Sequence, residues 1–289
     1  MNYILHLLVF FEIYAIVALS LNLLIGYGGL LQVAHAGYFG VGAYASALAV
    51  TKLGVGFLPS LFISASVSGI LSLLVSLPAW RFRGDYFVMV SLAVQVAIYA
   101  AMYNWIDLTN GPFGLTGIPR PALFGSTFAT SFDVFAIYAV IVTLLSALVI
   151  VLTMSPWGRS LKAMRDDELA ARSLGIQTRT LKVQVFLIAS AMVGVAGGMY
   201  GAYLRYIDPT SFTLDASILM LSMVIVGGTG NIKGPLVGTA VLVGLPEVLR
   251  LVAISDAVAA NLRLLAYGLL LILMMHFRPQ GLAGNYRFD

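Results

Sequence analysis

Side-chain chemistry needs polar groups in a workable arrangement, and this chain offers few. Its three histidines, His6, His35 and His276, lie too far apart to read as a metal site, and no cysteine is present for a thiolate nucleophile, a zinc site or a disulfide. No His-Glu-x-x-His, no Gly-x-Ser-x-Gly and no pair of facing aspartates occurs, so an intramembrane protease or transferase finds no constellation to work with. A Gly-x4-Gly-Lys-Ser/Thr phosphate loop is missing too, as is any Gly-Lys dipeptide, so the chain is expected neither to bind nor to hydrolyse ATP. What remains is one highly charged segment, two glycine-rich stretches with polar neighbours, and a single acid, Glu12, inside an apolar run.

The charged segment spans 155–182 and carries Arg159, Lys162, Arg165, Asp166, Asp167, Glu168, Arg172, Arg179 and Lys182. Ser155-Pro156 supplies a helix N-cap followed by proline at the first helical position, and Gly175 sits where a C-terminal cap is wanted. Lys162 with Asp166 and Glu168 with Arg172 are spaced i,i+4, while Leu161, Met164, Ala171 and Leu174 offer an apolar face. The spacing predicts a short amphipathic helix between two spans, and amphipathicity alone fits a helix lying on the membrane surface equally well.

The first glycine-rich stretch is Gly26-Tyr27-Gly28-Gly29 followed by Gly37, Gly40 and Gly42, with Gln32 and His35 between; the second is Gly227-Gly228-Thr229-Gly230-Asn231 followed by Gly234-Pro235 and Gly238. An interior glycine costs a helix about 1 kcal/mol relative to alanine, so such strings mean broken or closely packed backbone. Irregular backbone at membrane depth survives only where protein or a water-filled cavity satisfies it, and paired interruptions point to a transport pathway. Close helix–helix packing through small residues explains the same glycines, and His35 alone reads as a helix–helix hydrogen-bonding partner. Candidate pathway residues are Gly28, Gly29, Gln32, His35, Gly37, Gly228, Thr229 and Asn231. Glu12 is costly in hydrocarbon unless compensated, so it is read as lying near an interface or facing a polar group of another subunit, or else as the coupling acid of an ion-driven carrier.

The elements that position these groups follow from composition. Of the 289 residues 60% are hydrophobic and 10% charged, against roughly a quarter charged in a soluble domain, and the mean hydropathy is +0.97. That excludes a soluble enzyme, and the net charge of +4 is too small to read as a nucleic-acid footprint. A span needs about 20 mostly apolar residues. Charge-free runs place helices near 4–25, 37–51, 59–79, 86–104, 132–154, 183–205, 213–229, 234–250 and 262–277: an all-α polytopic membrane protein of eight to ten crossings. No Lys or Arg precedes the first apolar run and Glu12 interrupts it, so that run is expected to stay as a membrane helix rather than act as a removable signal. Placing 26–36, 80–85, 155–182, 230–233 and 278–289 on one side collects eleven of the sixteen Lys and Arg, including Arg81, Arg83, Lys233, Arg278 and Arg287. Lys52, Arg120, Arg205, Arg250 and Arg263 fall on the other, so the first side, with the C-terminus, is expected in the cytoplasm.

The run Gly158-Arg159-Ser160-Leu161-Lys162-Ala163-Met164-Arg165-Asp166-Asp167-Glu168-Leu169-Ala170-Ala171-Arg172-Ser173-Leu174-Gly175-Ile176 resembles the coupling segment of bacterial ABC-importer permeases, whose pattern is Glu-Ala-Ala, three residues, then Gly. Ser20 to Gly29, His35 to Tyr44, Arg83-Gly84-Asp85-Tyr86-Phe87, Thr109 to Pro119, Val226 to Gly238 and Arg278-Pro279-Gln280-Gly281-Leu282 are similar, in order, to LivM-type permeases of branched-chain (hydrophobic) amino-acid uptake systems. The chain departs from the pattern in two places. Counted back from Gly175, the family's glutamate position is Leu169 and the acid stands one place earlier at Glu168; the Ile-x-Leu-Pro ending is replaced by Val185-Phe186-Leu187.

The resemblance implies one permease domain over 1–289 in the bacterial inner membrane, without covalent chemistry. It also implies ATPase-coupling roles for Arg159, Arg165, Glu168, Ala170, Ala171, Arg172 and Gly175. Expected partners are a homologous LivH-like permease, two cytoplasmic LivG/LivF-like subunits holding ATP and Mg, and a periplasmic binding protein. Few fixed charges in the spans suit branched-chain or other neutral amino acids, with urea or short amides as the alternative cargo and an ion-driven carrier as the alternative mechanism.

Overall fold

A helix satisfies its own backbone, which lipid cannot do for it. The structure, a computed structural model, describes residues 2–82, 84–123, 126–127, 130–250, 256–278 and 280–283, with backbone only at 2, 122–123, 126–127, 247–250, 256–264, 266 and 275. Arg83, Pro279 and Arg287 therefore lie outside the described residues, as do the side chains of Arg250 and Arg263.

In chain order the helices are α1 (Asn2–Asn22), running on as a π-helical turn Leu23–Tyr27; α2 (His35–Leu53); α3 (Phe57–Leu71) with its continuation α4 (Leu73–Ser76); α5 (Asp85–Asn104) and the short α6 (Ile106–Thr109); α7 (Ser131–Met154); α8 (Pro156–Asp166) and α9 (Glu168–Ser173); α10 (Thr178–Leu204); α11 (Leu214–Gly227); α12 (Lys233–Arg250); and α13 (Asp256–Phe277). Among the described residues, strand is confined to two-residue pairings, Leu115–Thr116 with Tyr206–Ile207 and Ala122–Leu123 with Ser126–Thr127. The chain is an all-α polytopic membrane protein, and every expected span has a helix at its place. Among the described residues, five stretches are long and apolar enough to cross unaided: Tyr3–Tyr27, Phe57–Trp80, Asp85–Asn104, Ser131–Met154 and Thr178–Leu204. Leu214–Gly227 and Lys233–Pro246 are apolar but shorter, because the second glycine-rich stretch cuts between them.

At the centre, α10 packs on α2 and α3, with small residues at the crossings. A Cβ at Gly42 would fall on the Gly194 carbonyl, and one at Gly197 on the Phe39 carbonyl. From α3, Ser64 Oγ donates to the Gly42 carbonyl at 2.9 Å and also to that of Gly194, while Ser68 Oγ donates to the Tyr38 carbonyl at 3.0 Å. Ser60, Ser64, Ser68, Ser72 and Ser76 thus form a buried stripe at four-residue spacing. By contrast α7 is largely exposed.

The charged loops separate into two ends. One end joins the first glycine stretch, Ala79, the 155–182 segment, the second glycine stretch and residues 281–283 through direct hydrogen bonds. The opposite end carries the strand pairing with Tyr206–Ile207, Lys52 Nζ on the Asp107 carbonyl at 3.4 Å and Arg205 Nε on that of Ile118 at 3.4 Å.

Candidate functional site

Ser155 starts α8 as its type predicts, its Oγ accepting from the Gly158 amide at 3.3 Å. The single helix expected over this segment is instead two, because Asp167 is extended at φ −153° and ψ 107°. Its carboxylate accepts from the Leu169 and Ala170 amides at 2.8 and 3.0 Å, so one aspartate both ends α8 and caps α9. Gly175 follows in the left-handed region at φ +84°, with nothing within 4 Å of an added Cβ, so its requirement is conformational. Of the two expected i,i+4 pairs, Glu168–Arg172 forms at 2.7 Å. Lys162–Asp166 is replaced: Asp166 takes both Nε and Nη2 of its neighbour Arg165 at 2.9 and 2.8 Å, and Lys162 stands over the Tyr27 ring, 5.3 Å from its centroid.

The charges of α9 turn inward. Glu168 accepts from Arg172 at 2.7 Å, from Thr178 Oγ1 at 3.1 Å and from Lys182 Nζ at 3.1 Å, and Lys182 also donates to the Ala79 carbonyl at 3.0 Å. This network, with the Lys182 side chain 4% exposed, ties α9 to α10 and to Ala79 in the turn after α4. Reading Lys182 as a loop charge misses it; a lysine four residues inside a helix after a capped turn is the signal that marks it. The apolar face is also corrected. Leu161, Met164 and Ala171 are buried, but Leu174 is 82% and Leu169 63% exposed, beside exposed Ala170 and Gly175. The break at Asp167 rotates α9 out of the α8 register. Arg159 caps α7, its Nη1 on the Met154 carbonyl at 3.3 Å.

The two glycine stretches meet. Asn22, at the end of α1, donates through Nδ2 to the Asn231 carbonyl at 2.8 Å and accepts at Oδ1 from the Gly230 amide at 3.1 Å. Arg165 reaches the first stretch, its Nη1 on the Gly26 carbonyl at 2.6 Å. The second stretch turns at Gly228 (φ +102°) and Gly230 (φ +82°). A strap from the C-terminal segment closes over it: the Leu282 and Ala283 amides donate to the Val226 and Gly227 carbonyls at 2.9 Å each, and Asn231 Nδ2 donates to the Ala283 carbonyl.

The expected pathway residues divide. Gln32 Oε1 accepts from the Ala34 amide at 2.8 Å, which leaves its Nε2 facing His35 Nδ1 at 3.0 Å; His35 Nε2 then donates to Ser20 Oγ at 2.8 Å, and Ser20 to the Val17 carbonyl at 2.7 Å. Gly37, inside regular helix, donates to Gln95 Oε1 at 2.7 Å. These groups, with Asn231, hold helices together. Thr229 Oγ1 is buried without a hydrogen-bond partner. Gly28 and Gly29 border a cavity of about 330 Å³ shared with Asp85, Arg165, Asp167 and Lys182; Asn231 borders another of about 510 Å³ with Tyr27, Lys162 and Lys233. No cluster of three potential metal ligands occurs among the described residues.

Residues 3–275 match the family described as branched-chain amino acid transport system / permease component. The chain belongs to this permease family. The high-affinity branched-chain amino acid transport system permease protein LivM of Salmonella typhimurium is 33% identical over 93% of this chain and 67% of its own length. The probable branched-chain amino acid transport permease protein LivM of Methanocaldococcus jannaschii is 27% identical over 96% and 92%. LivH of Salmonella typhimurium, a permease protein of the same kind of system, is 25% identical over 94% and 91%. No solved structure matches the chain.

Glu12 is the permease residue the resemblance leaves unexplained. It is buried on α1, the helix that packs against α7, and its Oε2 has no hydrogen-bond partner. Within this chain the residue is 6% exposed.

Proposed function

We propose that this permease is one of two homologous membrane subunits of a binding-protein-dependent ABC importer in the bacterial inner membrane, moving branched-chain or other neutral amino acids inward. ATP, with Mg, is bound and hydrolysed by two partner subunits docked at the charged end, which faces the cytoplasm with the C-terminus; this chain, a single permease domain with 155–182 as its coupling part, holds no nucleotide. The scarcity of fixed charge in the spans suits a zwitterion, and the names of the relatives favour branched-chain amino acids over urea or short amides.

The observation carrying this reading is the outward presentation of Leu169 and Leu174 at α9, whose own charges, Glu168 and Arg172, pair with each other, Glu168 also with Lys182 of α10. A helix serving only as a solvated linker has the reverse pattern, polar outside and apolar inside. Exposed leucines on a short, firmly anchored helix are what a groove on an ATPase subunit would grip. The test is the double variant Leu169→Asp, Leu174→Asp in the assembled transporter. The ATPase subunits no longer copurify and ATP-dependent uptake is lost, while the amount of inserted chain is unchanged. Copurification and uptake at wild-type levels would overturn the docking role.

A further inference from the structure

The last carbonyls of a helix have no partner within it. Within the π-helical turn that ends α1, the Gly26 carbonyl is taken by Arg165 Nη1 at 2.6 Å, and the Arg165 side chain is 12% exposed. The approach is close because Gly29 has no side chain: a Cβ there would lie 2.8 Å from Arg165 Cγ and 3.4 Å from its Cα, and Gly29 is at φ +66°. On its other side Gly26 is equally tight, with Asn22 Oδ1 and the Gly230 amide against the place its Cβ would occupy, and Asn22 closes two hydrogen bonds onto Gly230 and Asn231. An unbroken series of direct contacts therefore runs from α8 through Arg165 to the first stretch and through Asn22 to the second.

The α9 half has a different anchorage. Glu168 is bound to Arg172, Thr178 and Lys182, and Lys182 to Ala79, so α9 is fixed by its charges to α10 and to the turn after α4, whereas α8 meets α10 at its start, where Trp157 Nε1 donates to Gln184 Oε1 at 2.9 Å. Between the halves Asp167 is the single non-helical residue.

Resting on the proposed function, we infer that Arg165 is a positioning residue of the transport cycle: it makes both glycine stretches follow α8, while α9 bears on the scaffold, with Asp167 the hinge between the two loads. The resemblance implies an ATPase-coupling role for Arg165, and its side chain faces inward, onto Gly26. A guanidinium on a carbonyl is a charge-assisted bond, directional enough to carry a displacement.

The experiment uses the whole transporter in proteoliposomes and reads solute taken up per ATP hydrolysed, together with ATPase copurification. Arg165→Ala lowers that ratio at least ten-fold with the ATPases still copurifying, and Arg165→Lys, which restores a cation within reach of one carbonyl, recovers part of it. Asn22→Ala lowers the ratio by itself but adds nothing to Arg165→Ala, because both cut the same series of contacts. Should Arg165→Ala fold poorly, Gly29→Ala gives the same reading, since it keeps the arginine and displaces α8. A wild-type ratio in Arg165→Ala or Gly29→Ala, or fully additive losses with Asn22→Ala, overturns the inference. Uptake by the wild-type assembly without ATP consumption would instead strike the permease reading itself, and this inference with it.

Discussion

Where α2 crosses α10, Gly42 lies against the Gly194 carbonyl and Gly197 against that of Phe39, and both helices run through the contact undisturbed. At Gly26–Gly29 and Gly227–Gly230 the same residue type ends helices, adopts left-handed conformations and leaves carbonyls for Arg165, Asn22 and the C-terminal strap to engage. Both explanations of a glycine-rich membrane segment hold: the crossing shows close packing alone, while the breaks combine it with irregular backbone, since a Cβ at Gly227 would fall on the Gly234 carbonyl. The crossing has regular helix on both sides; the broken stretches add to their close backbone contacts a few discrete hydrogen bonds that a displacement of a neighbour can reposition. Glycine at the crossing is a rigid part of the scaffold, and glycine at the breaks is where a scaffold meets moving parts.

Substitutions separate the two regions. Gly197→Leu carries the largest effect: its side chain would enter the backbone of Phe39 and Ala43, and overpacking without relaxation costs about 3 kcal/mol or more, so little folded chain is recovered by size-exclusion chromatography in detergent. Next is Lys182→Met, which removes one anchor of the α9 network. Glu168 keeps Arg172 and Thr178, so the loss falls at or below the low end of a broken buried pair, about 2–3 kcal/mol, and is read as a lowered Tm. Gly228→Ala forces a Cβ at φ +102° for about 1–3 kcal/mol. Its transport activity falls by a larger factor than its folded yield, the reverse of the Gly197→Leu ranking; equal losses in both readouts would merge the two glycine classes.

Smaller changes sharpen the contrast further. Ser64→Ala removes hydrogen bonds to the Gly42 and Gly194 carbonyls, both of which lie inside regular helix, and costs about 0.6–1 kcal/mol in Tm with transport per folded molecule unchanged. Glu12→Gln keeps the shape of an enclosed side chain distant from both breaks, and uptake is unaltered between pH 6 and 8; a pH-dependent loss would make Glu12 a coupling acid and favour an ion-driven carrier.

Much of the helical layout was legible because hydropathy and helix caps are recorded locally. The apolar run 183–205 becomes α10 at Thr178–Leu204, Ser155-Pro156 opens α8, and Gly175 takes the left-handed turn expected of it. The serine stripe of α3 was written at four-residue spacing but hides in an apolar average, since serine barely lowers the hydropathy of a leucine-rich helix. Leu174 leaves the face shared by Leu161, Met164 and Ala171 because the backbone departs from the helix at Asp167 and resets the phase of a single 3.6-residue period.

By itself the sequence determined which segments are apolar helices, which loops gather at the charged end, where most helices start and stop, and the family. Only the tertiary structure decided partners: Arg165 on Gly26 across 139 residues, Asn22 on Asn231 across 209, Lys182 on Ala79 across 103. Periodicity and composition report the average environment of a residue along its own helix. Which distant carbonyl a side chain engages depends instead on how helices cross and which glycines let backbones approach, and no local pattern contains that.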